Sequence, residues 1–284
     1  MRYATITATS NPHIKEAVAI REKRKKYGHD AFLLEGPHLV EMALRSGTPM
    51  QEIFFTGDYA SHGGGDQLLR QAARTGTRMF QVTGPILARL SDTETPQGIV
   101  AIASYRPISL DAITPRKVPL FAVIDGIQDP GNLGTIIRTA DAAGADAVIL
   151  LPGSCDAFMP KAIRSSAGSL LTVPIVYSDH HALVPLLRKR SVRLCVTDVH
   201  ASPTLYSADL SGPLAFVFGN EAHGASEEIL RAADIRVKIP IFGKAESLNV
   251  AAAAAVCMYE AVRQRTTIPH DRAKAEGAMK PQKR

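Results

Sequence analysis

Cysteine is scarce in this sequence: Cys155, Cys195 and Cys257 are its only three. They lie far apart and match no zinc-ligand spacing, so a cysteine-based metal finger is excluded. An odd, sparse set reads as reduced thiols in a cytosolic protein, serving as small buried hydrophobes. Long apolar runs are missing as well. The longest near the C-terminus, Val250 to Met258, is about half of the ~20 residues that a membrane span needs. The N-terminal stretch lacks the apolar segment of a signal peptide. A soluble cytoplasmic protein without a membrane partner is therefore expected. The dinucleotide fingerprint G-x-G-x-x-G is absent too, because Gly126, Gly131 and Gly134 have the wrong spacing. That argues against a nucleotide-dependent oxidoreductase. No cluster of ligand-type residues suggests a metal.

What is present supports a packed chain of two domains. Hydrophobic residues make up 45% and charged residues 21% of 284, enough for a core through most of the length. The net charge of +6 tilts the balance modestly toward a polyanionic partner. Residues 1–103 alternate short apolar runs with helical patterns. A helix is predicted from His38 to Arg45 ending at Gly47, and another from Gln67 to Arg74 closed by Gly76. Strands are predicted at Ile53 to Thr56, Gln81-Val82 and Gly98 to Ala103. Gly63 to Gly65 reads as a flexible loop tip. The basic run from Lys15 to Lys26 reads as a solvated helix face or as a contact to an RNA backbone.

Residues 104–118 carry Pro107 and Pro115, follow no regular period and read as a linker. From Pro119 the texture changes to continuous apolar runs at 120–124, 147–151, 192–196, 214–218 and 235–239, most of them separated by helical segments. Such runs suit strands buried on both faces of a parallel sheet. An open, mostly parallel α/β sheet with crossover helices is expected over 119–265. The basic segment 266–284 has little apolar content and is expected to be disordered.

Three blocks sit where apolar strands end. The first, DGIQDPGNLGTIIRTA (125–140), carries Gly131 and Gly134 for close backbone approach, Asn132 as a helix N-cap and Arg138 further along the helix. Alone it is equally a glycine-rich turn with a capping asparagine and a surface arginine. The second, VFGNEAHGASEE (217–228), brackets a carboxylate and a histidine with glycines, and Ser226 reads as the cap of the next helix. His223 offers a base, although a lone loop histidine is more often a surface or packing residue. The third, KIPIFGKAESLNV (238–250), ends a strand, forms a loop and opens a helix near Ser247 to Asn249. The alanines at 251–255 favour that helix, and their lack of bulk implies a close neighbour, either backbone or a second subunit.

Together GNLGTIIRTA (131–140), FGNEAHGAS (218–226) and IPIFGKAESLNVAAAAA (239–255) resemble the SpoU branch of the SPOUT methyltransferases, the TrmH-like RNA ribose 2'-O-methyltransferases. All three motifs occur in order within 119–265. The stretch DAFMPKAIRSSAGS (156–169) resembles the family's segment between its first two motifs. Residues 1–103 more loosely resemble the family's small L30e-like RNA-binding domain, chiefly through FLLEGP (32–37). The resemblance implies a deep trefoil knot in the C-terminal α/β domain, a feature that no periodicity reveals. It implies S-adenosylmethionine held at Gly219, Ile239 and Leu248, largely by backbone groups. A homodimer with the knot at its interface is implied likewise.

The same resemblance makes Arg138 the candidate for activating the ribose 2'-hydroxyl, with Asn132, Glu221, Ser247 and Asn249 arranging ribose, phosphate and Arg138. A guanidinium holds its proton, so gripping phosphate and stabilising a developing alkoxide suits Arg138 better than proton abstraction. The expected function is thus S-adenosylmethionine-dependent 2'-O-methylation of RNA, with no metal. The separate N-terminal domain favours ribosomal RNA of the 23S type over tRNA. The alternatives are a tRNA 2'-O-methyltransferase and a non-catalytic RNA-binding protein that keeps the fold. Intact Asn132, Arg138, Glu221, Ser247 and Asn249 argue against the latter.

Overall fold

The computed structural model describes residues 2–23 and 31–278. Two compact units emerge, one built from residues up to 108 together with 156–172, the other from 109–155 together with 173 onward.

The first unit holds β1 (Ala4–Ile6), α1 (Pro12–Lys23), β2 (Ala31–Glu35), α2 (Pro37–Ser46), β3 (Met50–Thr56), α3 (Gly57–Ser61), α4 (Gly65–Arg74), β4 (Arg78–Val82), α5 (Gly84–Leu90) and β5 (Ile99–Ser104). Its sheet runs β1-β4-β3-β5-β2. β1 and β3 lie parallel to β4, whereas β5 is antiparallel to both β3 and β2. In β2, Phe32 and Leu34 are buried while Leu33 and Glu35 are half-buried, the alternation of a strand with one core face. Phe54, Phe80, Val100 and Ile102 meet Ile14, Ala17 and Ile20 of α1 and Ile86, Leu87 and Leu90 of α5 in one cluster. α2 opens with Pro37 and closes on Gly47 at φ +70°, as its sequence predicts. Gly65 differs from the expected loop tip. It is buried at the start of α4, where an added Cβ would lie 2.0 Å from the Tyr59 carbonyl oxygen, so close packing requires glycine there. Of the basic run, Arg24, Lys25 and Lys26 lie outside the described residues.

The second unit begins with β6 (Leu120–Asp125), α6 (Pro130–Ala142) and β7 (Ala147–Leu150). The chain then makes an excursion through α7 (Pro160–Ser165), and residues 156–172 pack with the first unit. It returns for β8 (Ile175–Tyr177), α8 (His180–Lys189), β9 (Arg193–Thr197), β10 (Leu214–Gly219), α9 (Glu227–Ala232), β11 (Ile235–Val237) and α10 (Val250–Ala278). The six strands are all parallel, in the order β11-β9-β10-β6-β7-β8. β6, β7 and β10 are buried along their whole lengths, which explains their unbroken apolar sequences. β8 has no such signature because only three residues of it pair at the sheet edge. Leu110 and Ile113, from the stretch that reads as a linker, are buried in this unit's core.

Strands β6, β7 and β8 build outward in one direction, and β9 to β11 occupy the other side. The order therefore reverses between β6 and β10, and ligands of open α/β sheets bind beyond the carboxyl ends at such a reversal. α10 runs through Ala278, so the tail expected to be disordered from Thr266 is helical to that point. Alanine, lysine and glutamate at 273–276 are good helix formers, which a low apolar content does not reveal. Among the described residues, no helix is long and apolar enough to cross a membrane.

Candidate active site

β6 and β10 pair in register to their last residues, with Gly219 opposite Asp125. The first and second sequence blocks therefore leave the sheet side by side. Buried Asp125 accepts a hydrogen bond from the Ser226 N–H through Oδ2 at 2.6 Å, anchoring the far end of the second block. Asn220 folds the loop between. Its Nδ2 donates to the Gly126 carbonyl at 2.7 Å, and its Oδ1 accepts from the N–H groups of Ala222 at 2.9 Å and His223 at 3.1 Å. The backbones of Asn220 and Gly224 also exchange hydrogen bonds at 2.8 and 2.9 Å. The loop turns back so tightly that a Cβ on Gly219 would lie 2.2 Å from both Gly224 C and Ala225 N. Only glycine fits at the strand end.

This loop presents Glu221 to the first block. Its carboxylate accepts from Asn132 Nδ2 at 3.0 Å and from the N–H groups of Gln128 at 3.3 Å and Asp129 at 3.4 Å. Partial burial raises the Glu221 pKa, but the hydrogen bonds from Asn132 and the backbone outweigh it, and the group lies below its ordinary value. Asn132 Oδ1 in turn accepts from Asn249 Nδ2 at 3.0 Å. Asn249 Oδ1 caps α10, accepting from the N–H groups of Ala251 at 2.9 Å and Ala252 at 3.4 Å. The direction of this chain is dictated at both ends. An ionised carboxylate only accepts and helix N–H groups only donate, so each amide between them has one favourable orientation.

Asn132 is not the cap of α6, as the sequence suggests. Asp129 takes that place, its carboxylate accepting from the N–H groups of Gly131 and Asn132, with Pro130 at the first helical position. The Asp-Pro pair is a legible capping signal, and it leaves the Asn132 side chain available to Glu221. Ser226 occupies the cap position of α9 but makes no side-chain cap bond. Asn220 and Asp125 have no sequence signal of comparable strength, because Asn220 meets Gly126 across 94 positions.

Arg138 is exposed on α6. Ser247 and Leu248 lie in an irregular exposed segment before α10, and Ile239 is half-buried just beyond β11. Among the described residues, no hydrogen bond joins Arg138 or Ser247 to the Asn249–Asn132–Glu221 chain. The structure thus brings Asn132, Glu221 and Asn249 together above Gly219 and leaves Arg138 and Ser247 open. Residues 241–248 form no hydrogen bonds among the described residues. Their free backbone donors and acceptors, the partly open Ile239 and Leu248 side chains and the strand end at Gly219 fit a ligand such as S-adenosylmethionine, which offers a purine, a ribose and an amino-acid moiety.

Comparisons with known proteins find relatives along both units. Residues 119–259 match the model of the SpoU rRNA Methylase family, and residues 11–101 match an MRM3-like substrate binding domain. The Bacillus subtilis 23S rRNA (guanosine(2553)-2'-O)-methyltransferase RlmP is 35% identical over 254 residues, spanning 89% of this chain and 97% of that protein. The AdoMet-bound rRNA methyltransferase of Sinorhizobium meliloti matches with a TM-score of 0.83 at 30% identity, over 91% of this chain and 97% of that one. The AdoMet complex of the SpoU methyltransferase AviRb from Streptomyces viridochromogenes gives 0.84 at 30% identity, over 90% and 99%. With its three motifs meeting at one reversal of strand order and similarity extending over both units, the chain belongs to the SpoU rRNA methylase family.

Proposed function

We propose that this protein is an S-adenosylmethionine-dependent RNA ribose 2'-O-methyltransferase acting on ribosomal RNA in the cytoplasm. The observation that carries this reading is the hydrogen-bonded chain Asn249–Asn132–Glu221, which joins all three motifs at the carboxyl ends of β6 and β10. Ribosomal RNA is preferred because RlmP, similar over nearly all of both chains, is named for 23S rRNA. The N-terminal unit, with its match to a substrate binding domain, supplies a second surface for RNA.

Gly219, Ile239 and Leu248 are assigned to the cofactor, Gly219 through backbone at the strand end and the other two through apolar contact. Bound there, S-adenosylmethionine supplies an electrophilic methyl group on its sulfonium. Arg138 grips the phosphate beside the acceptor ribose and stabilises negative charge developing on its O2' as the hydroxyl proton passes to solvent, because a guanidinium brings a fixed charge and a fork of N–H donors. Glu221 holds Asn132, and Asn132 and Asn249 hold each other, so the ribose meets groups whose orientation is already set. Ser247, exposed beside Asn249, contributes a hydroxyl to the phosphate or ribose.

A homodimer with a knotted C-terminal domain completes the reading. Its support is an exposed apolar set on the second unit, with Phe242 94%, Tyr206 55% and Tyr259 50% accessible in the single chain. For the knot, the support is the backbone pairing of Lys238 with Pro203 and Leu205 before the chain returns to Asn132 at Asn249. The test is labelled methyl transfer into ribosomal RNA and into tRNA, with Arg138→Ala as control. The variant should lose turnover and keep S-adenosylmethionine binding by calorimetry. Loss of cofactor binding would overturn the role of Arg138, and transfer into tRNA alone would overturn the ribosomal assignment.

A further inference from the structure

A second group of chemically capable side chains lies in the first unit, away from the methyl-transfer motifs. His13 and Glu16 are three residues apart on α1 and so share one face of that helix. Glu52, on β3, faces them. One ligand atom from each of the three lies within 4.8 Å of the other two, and His13 Nδ1 is 2.8 Å from Glu52 Oε1. Two ligands of a tetrahedral zinc ion sit about 3.3–3.5 Å apart, given metal–ligand distances of about 2.0–2.2 Å. The 2.8 Å between His13 and Glu52 is shorter than that and the 4.8 Å bound on the cluster is longer, so small side-chain shifts bring the three groups onto one ion.

Ion pairing alone does not account for Glu52. It is 1% exposed, and its Oε1 is engaged by both His13 and Arg78 Nη2, the latter at 2.7 Å. Its Oε2 is buried without a hydrogen-bond partner among the described residues. Buried carboxylate oxygens are otherwise bonded, so a bare one calls for an explanation. A bound cation supplies one. The two glutamates bring two negative charges and Arg78 one positive, and the Arg78 side chain is 61% exposed and able to withdraw. His13 is held in place: its backbone N–H donates to Asn11 Oδ1 at 3.0 Å, and its ring lies tilted against that of Phe80 with centroids 4.5 Å apart.

We propose that His13, Glu16 and Glu52 form a binding site for a divalent transition metal of the zinc class. One imidazole with two carboxylates suits zinc and its neighbours better than magnesium or calcium, which favour oxygen donors throughout. Exposed Glu16 leaves the outer side open, so water completes the coordination. The ion ties α1 to β3 within the substrate-binding unit and stabilises it by mass action. No sequence spacing reveals the site, because His13 and Glu52 are 39 positions apart.

The experiment titrates zinc chloride into chelator-treated full-length protein, by calorimetry and thermal melting, beside magnesium chloride. Wild type should bind one zinc at this site and melt higher with zinc, with no such shift from magnesium. Glu16→Gln removes an exposed ligand that the fold does not need, and His13→Gln removes the imidazole. Each should lose that equivalent or bind it roughly tenfold or more weakly, as loss of groups supporting a metal does. Arg78→Ala removes the competing cation and should bind zinc at least as tightly as wild type. The proposal is overturned if wild type binds no zinc, or if its stoichiometry and affinity are unchanged in both ligand variants.

Discussion

Two carboxylates show how differently the two units treat a charge. Glu221 stands just beyond the carboxyl end of β10 in the parallel sheet and accepts from Asn132 and from two backbone N–H groups. Glu52 stands inside the mixed-sheet unit, yet its two partners, the His13 ring and the Arg78 guanidinium, crowd onto one oxygen and leave the other bare. The more accessible group is thus the more completely bonded. Burying an unbonded carboxylate oxygen costs more than leaving an exposed one to water, so the arrangement is backwards for stability alone. At Glu221 the fold itself completes a preorganised network. At Glu52 the set of donors is incomplete until a cation joins it.

The sharpest way to break this comparison acts on the Glu221 side. Arg138→Ala should lower methyl transfer by about 10²–10³-fold, the usual loss when one group stabilising developing charge is removed, and leave the melting temperature almost unchanged because Arg138 is exposed. Single-turnover assays with S-adenosylmethionine check it. Gly219→Ala forces a Cβ into the backbone of Gly224 and Ala225. Overpacking of that kind costs about 1–3 kcal/mol, and cofactor affinity should fall with stability, read by calorimetry and denaturant titration. A variant that melts like wild type and binds the cofactor normally would show that the loop over Gly219 is not as rigid as its bonds imply.

Asn249→Ala removes the cap of α10 and the bond to Asn132 together. Loss of a cap costs about 1 kcal/mol, and turnover should fall further than that because Asn132 loses its orienting partner. Glu221→Gln gives the smallest and most selective effect. The folded Glu221 pKa is depressed, so its stabilising contribution is complete above the ordinary glutamate value of about 4.3 and fades as pH falls through the lower folded value. Thermal melts between about pH 3 and 6 should therefore lose part of their acid-side slope in Glu221→Gln. An unchanged slope would mean that the network does not depend on the charge.

Much of this protein is legible in its sequence. Unbroken apolar runs mark β6, β7 and β10 because strands covered on both faces need no polar alternation. The Pro37 start and Gly47 stop mark α2, and the three glycine-rich blocks mark the carboxyl ends of β6, β10 and β11. These signals are local, set by backbone conformation and by the period of burial. Local reading failed where a short edge strand such as β8 has too few residues to show a period, and where good helix formers at 273–276 extend a helix through a sequence of low apolar content.

Only the tertiary structure decided which side chains meet. Asn132 reaches Glu221 across 89 positions and Asn249 across 117, so no spacing rule joins them, although each belongs to a recognisable block. The same holds for residues 156–172, whose sequence lies between the first and second family motifs but which pack with the first unit. It holds most plainly for Glu52, an ordinary glutamate in sequence that becomes unusual only when β3 buries it against α1. Sequence determined the chemistry available at each strand end and turn. The long-range packing of strands and helices determined which of those groups act together, because hydrogen bonds and metal ligation depend on distances in space rather than along the chain.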